Sequence, residues 1–123
     1  MLQFFVEGGW GMWAVLVFGL VLLATAGRYA FDGEPARLRF ALAVSAVLLV
    51  SMTHAMLTNV AAVFWYVQDP ERVPDGELSR TVFIGLMEST RPGALGGALL
   101  TLGLVLVAIG VYRGARRELR AVG

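Results

Sequence analysis

GWGMWAVLVFGLVLLATAG, residues 9–27, contains no charged side chain over 19 positions. At about 1.5 Å of rise per residue a helix of that length extends about 28 Å, close to the hydrocarbon thickness of a bilayer. Inside a membrane no water reaches the backbone, so each amide must be satisfied within its own segment and an isolated span has to be a helix. The stretch therefore reads as a membrane span. Two more runs have the same character: residues 38–67, whose only charge is Arg39 when His54 is neutral, and residues 93–112, which carry none. The second run exceeds the minimum of about 20 residues, so it must tilt or protrude. The expected fold class is all-α, an integral membrane protein with three transmembrane helices in one domain covering 1–123.

Composition supports this. Of 123 residues 58% are hydrophobic and the mean hydropathy is +0.73, an apolar fraction that would leave a soluble domain of this size with an aggregating surface. The net charge of +1 is uninformative about nucleic acid, and no basic tract interleaved with aromatics suggests such a partner, so none is expected. There is no cysteine, hence no disulfide framework and no thiolate nucleophile. MLQFFVEGGW lacks the positive n-region of a secretory signal, and its first charge is the acidic Glu7, so the first span is expected to be retained.

The connections differ. Residues 28–37, RYAFDGEPAR, form a short loop with turn chemistry at Asp32-Gly33 and Pro35. The longer connection has turn signals at Asp69-Pro70 and Pro74-Asp75-Gly76. After it, residues 77–90 place Val82, Phe83, Leu86 and Met87 as the apolar side of a short interfacial helix before the third span, the alternative being the first turns of that span, broken at Pro92. Arg28, Arg37 and Arg39 flank the first loop and Arg113, Arg116, Arg117 and Arg120 crowd the tail, whereas Arg72, Arg80 and Arg91 are diluted by five acids. The positive-inside rule then puts the N-terminus outside and the C-terminus in the cytoplasm of a bacterial inner (plasma) membrane. Trp10 and Trp13 open the first span and Phe64, Trp65 and Tyr66 close the second, which places both aromatic sets at one interface. The tail RGARRELR suits anionic headgroups, so membrane lipids are expected partners.

The third span is rich in glycine. Gly96, Gly103 and Gly110 recur every seven residues, and Gly93, Gly97 and Thr101 make a ladder of small residues. Such positions let backbones approach closely, which drives helix association in lipid. The expectation is a homo-oligomer built on this face, with packing inside one subunit as the alternative.

The second span holds MTHAMLTN, residues 52–59, with the sole histidine of the chain. Ser51, His54 and Thr58 share one helix face, flanked by Thr53 and Asn59. Counted from Arg39 to Trp65, His54 falls near mid-membrane. An intramembrane ionisable residue is a candidate for function, although a neutral imidazole is far cheaper to bury than a carboxylate or lysine. Ser51, Thr53, His54, Thr58, Asn59 and Thr101 are therefore ion-path candidates, with Glu88 as the one acid near a pore mouth. The other reading bonds His54 across to a neighbouring helix, through Thr25 or Thr101.

No catalytic constellation, phosphate loop or intramembrane carboxylate is present in the sequence, so no enzyme is expected. One histidine supplies a bis-histidine haem only across a symmetric dimer, and no His, Cys or carboxylate cluster suits a metal; no cofactor and no metal are expected.

FFVEGGWGMWAVLVFGLVLLATAGRYAF (4–31) and GLMESTRPGALGGALLTLGLVLVAIGVYR (85–113) resemble the first and last helices of the MotA/TolQ/ExbB proton-channel family. That family has three spans with the N-terminus outside, so the resemblance implies a proton path and an oligomer coupled to other membrane-protein subunits. This chain departs from it in lacking the large cytoplasmic region between the first two spans and the acidic intramembrane residue. Thr53, His54, Thr58 and Thr101 are what remains to stand in. The expected function is a proton- or ion-channel-like subunit of a larger membrane assembly, in minimal form. The alternative is an assembly subunit with no transport activity of its own.

Overall fold

The computed structural model describes residues 9–123, all helix and short turns. Residues 1–8, with Glu7 and the start of the family-like segment, lie outside the described residues. Helix α1 runs Gly11–Asp32, α2 Pro35–Val67, α3 Leu78–Ser89 and α4 Arg91–Val122. Three helical stretches are long and apolar enough to cross a membrane: α1, α2, and α3 taken together with α4. The protein is an all-α, three-span membrane protein.

The first loop is tighter than the sequence implies. Helix α1 continues through Arg28 to Asp32 and stops where Gly33 turns left-handed at φ +70°, its N–H donating to Tyr29 O at 2.8 Å. Asp32 Oδ1 accepts from the Glu34 N–H at 3.0 Å, and Pro35, with its fixed φ, opens α2. Arg37 reaches back to pair with Asp32 and, at 3.3 Å, with Glu34. A two-residue connection results, because the charged residues that mark the end of a span also form good helix.

Each of the three long helices buries one seam of heptad-like spacing. In α1 Met12, Val15, Gly19, Leu22, Ala26 and Tyr29 are buried at steps of three and four that place a seam along one face, with Ala30 buried beside Tyr29. Helix α2 contributes Ala41, Val44, Leu48 and Ala55, and α4 contributes Gly96, Gly103, Val107 and Gly110. Glycines receive the large side chains. A Cβ at Gly103 would lie 2.5 Å from Leu22 Cγ, one at Gly110 2.6 Å from Tyr29 Cε1, and one at Gly96 2.8 Å from Met52 Sδ. The heptad of glycine is thus filled within the chain and is not free for a second copy. An oligomer would have to use another face.

The second set of small residues divides. Thr81, Gly85, Ser89, Gly93, Gly97 and Thr101 recur every four residues through α3 and α4. Four residues turn a helix by about 400°, so such a row drifts about 40° per step around the axis. Gly85 packs on Val63 and Gly93 on Met56, but a Cβ at Gly97 would meet nothing within 4 Å and Thr101 is exposed. Drift has carried the last two onto the outer surface.

The expected helix over 77–90 is present as α3, and it lies lengthwise along α2. Gly85 faces Val63, Gly93 faces Met56 and Gly96 faces Met52, so α3 and α4 share one antiparallel course along α2. The break between them is local. Pro92 has no N–H to continue α3, and Thr90 closes the turn by donating its N–H (3.3 Å) and Oγ1 (2.7 Å) to Met87 O.

Candidate functional site

The register fixes the depth of each polar group. Arg91 and Arg113 bracket 21 uncharged residues of α4, about 32 Å of helix and one hydrocarbon thickness. Because Gly93 lies beside Met56 and Gly96 beside Met52, His54 stands level with the first turn or so of that stretch. Gly11, at the start of α1, meets Ala55 at the same level. His54 is therefore near the Trp10 end of the apolar slab and not at its middle. Counting to Trp65 misplaces it, because α2 at 33 residues runs past the start of α1 and, among the described residues, its last turns pack on α3.

His54 also faces outward. Ala55 turns to α1 while Met52 and Met56 turn to α4, which leaves 54 on the opposite side of α2. The imidazole is exposed in a shallow furrow with Leu49, Val50, Thr53 and Leu57, and it makes no hydrogen bond among the described residues. The cross-helix bond to Thr25 or Thr101 is absent. Those hydroxyls donate to their own helices, Thr25 to Val21 O at 2.8 Å and Thr101 to Gly97 O at 2.7 Å. Thr53 bonds Leu49 O and Thr58 bonds His54 O, both at 2.8 Å. Each hydroxyl is satisfied four residues back, so none requires a partner helix or a water.

The ion-path candidates do not converge. His54, Thr53 and Thr58 are exposed on α2, Ser51 is half-buried there, and Thr101 is exposed on α4. Asn59 and Glu88, both half-buried, meet in a different place, a groove of about 400 Å³ between α2 and α3 that also includes Tyr66, Thr81, Gly85 and Ser89. Ser89 is buried there with its hydroxyl on Gly85 O at 2.8 Å. That groove was readable in principle from the four-residue spacing of Thr81, Gly85 and Ser89, which marks the side of α3 that packs on α2. From His54 toward the Arg28 end, the same face of α2 presents Val50, Val47, Ala43 and Phe40. A polar stripe about two turns long thus gives way to an apolar surface.

No family model matches the chain, and no match was found among curated proteins or solved structures. The channel-family resemblance rests on the two quoted segments alone. Among the described residues no group of three metal-ligating side chains is present.

Proposed function

We propose that the protein is an assembly subunit of a membrane complex, a closed three-helix bundle that offers its outer faces to other helices. The carrying observation is the disposition of the α2 stripe: exposed, confined to the Trp10 end of the slab, and continued by apolar side chains. A conducting path needs polar groups or water across the whole hydrocarbon, whereas a helix-binding face needs only one or two polar anchors among apolar neighbours. His54, with a donor and an acceptor on one ring, is such an anchor. Gly97 and Thr101 on α4 supply a second surface of small residues, suited to a second copy of the chain.

The channel-like reading keeps one specific support. His54 is an ionisable side chain left outside the bundle, where copies arranged around an axis would bring several imidazoles together. Purified protein in proton-tight vesicles separates the two. The assembly reading expects no proton flux from the protein alone and a complex on native gels that His54→Ala weakens. Flux that His54→Ala abolishes while the oligomer stays intact would establish the channel. By the positive-inside rule, the end carrying Arg28, Arg37, Arg39 and the α4 tail faces the cytoplasm of a bacterial inner membrane; protease access to the tail from either side of such vesicles tests that orientation.

A further inference from the structure

Helix α4 continues past the apolar slab as a one-sided basic helix. Arg113, Arg116, Arg117 and Arg120 stand at i, i+3, i+4 and i+7, within roughly 100° of its circumference. Together with Tyr112 they line an open hollow of about 230 Å³ on the helix surface. Arg116 lies over the Tyr112 ring, 5.7 Å from its centroid. The opposite flank, Gly114, Ala115 and Glu118, faces the α1–α2 turn through Gly33 and Pro35. That arrangement keeps Glu118 away from the arginines, and among the described residues none of the four lies within ion-pairing distance of a carboxylate. Asp32 and Glu34, the other acids at this end, are taken by Arg37.

Four unneutralised guanidiniums around one hollow call for a multivalent oxyanion acceptor, and the planar fork of arginine matches phosphate. Position narrows the source. Arg113 closes the 21-residue uncharged stretch, so the hollow sits at the depth of the headgroup phosphates. On the same face, one to three turns into the slab, Ile109, Val105 and Leu102 are exposed. A phosphate site continuous with an apolar track fits a molecule that has both parts. We propose that this face of α4 binds an anionic phospholipid, its phosphate held by Arg116, Arg117 and Arg120 and its acyl chain along Ile109, Val105 and Leu102. Arg113 fixes the helix that carries the site, since its Nη1 donates to Ala30 O at 3.0 Å. This assignment is independent of whether the protein assembles complexes or conducts ions.

Native mass spectrometry of the detergent-purified protein, titrated with phosphatidylglycerol or phosphatidylcholine of matched chains, reads the site directly. Phosphatidylglycerol should be retained well above phosphatidylcholine. A juxtamembrane arginine contributes about 1 kcal/mol to anionic-lipid binding, which is about fivefold in affinity, so Arg116→Gln with Arg117→Gln should weaken phosphatidylglycerol roughly 25-fold. Arg120→Gln alone, close to the helix end, should weaken it about fivefold and serves if the double variant folds poorly. Arg80→Gln, a charge removed at the other end, should change nothing. Equal retention of the two lipids, or full retention by the arginine variants, would overturn the assignment. Displacement of the lipid by equimolar inorganic phosphate would overturn it too, by showing a site for the free ion.

Discussion

Leu22 of α1 fills the space above Gly103 of α4, so closely that a Cβ at 103 would sit 2.5 Å from Leu22 Cγ and 2.6 Å from Cδ2. Leu22 is fully buried and has nowhere to move. Gly103→Ala should therefore destabilise the bundle by about 1–3 kcal/mol, the usual range for overpacking. Gly97→Ala, in open space on the same helix, should leave stability unchanged or raise it by several tenths of a kcal/mol through helix propensity. Thermal unfolding in detergent compares the two. Equal destabilisation would contradict the packing described for α4.

The seven-residue recurrence of Gly96, Gly103 and Gly110 was visible in the sequence, and so were the three spans, because length and apolarity are one-dimensional properties. What the glycines pack against is a matter of register. Nothing in the α4 sequence distinguishes Leu22 of the same chain from a leucine of another copy. His54 shows the same limit. Its place in a long apolar run is evident, but its depth depends on α2 overrunning α1, and its outward direction depends on Ala55, Met52 and Met56 being the residues that face the other helices. The α1–α2 turn was shorter than the charges implied, since Arg28 and Arg37 end a span without ending a helix.

Gly33 tests that turn. Its φ of +70° places it in the left-handed region, where a Cβ costs about 1–2 kcal/mol, although no neighbouring atom stands in the way. Gly33→Ala should lower stability by about 1 kcal/mol. Gly27→Ala, six residues earlier in an ordinary helical conformation and equally unobstructed, should stabilise by about 0.5–1 kcal/mol. Opposite signs in one unfolding experiment would separate backbone strain from crowding.

Arg113 joins the ends of α1 and α4. Its guanidinium donates to Ala30 O at 3.0 Å and lies 6.0 Å from the Phe31 ring centroid, satisfying a carbonyl in the last turn of α1 that has few helical partners. Arg113→Gln should cost about 1 kcal/mol, the net worth of one such hydrogen bond. Hydrogen exchange should show the loss as faster opening of α1 near Tyr29 with little change at Val15. Uniform protection along α1 in the variant would argue against the link.

His54 makes the sharpest prediction because its neighbours require nothing of it. The imidazole is exposed, makes no hydrogen bond among the described residues, and stands beside threonines whose hydroxyls are already satisfied. Replacement by leucine should then leave the unfolding of the isolated chain within about 0.5 kcal/mol of wild type, as for surface positions away from special features. Association is a different matter. An interhelical hydrogen bond in a membrane contributes about 0.6–1 kcal/mol, so a complex anchored through His54 should weaken about three- to fivefold with His54→Leu. Asparagine at 54 retains a donor and an acceptor and should restore most of the affinity. Measured by fluorescence energy transfer between labelled copies or subunits in vesicles, a loss with leucine and recovery with asparagine would mark hydrogen bonding as the role of the side chain. Loss with both would point instead to the imidazole's proton chemistry.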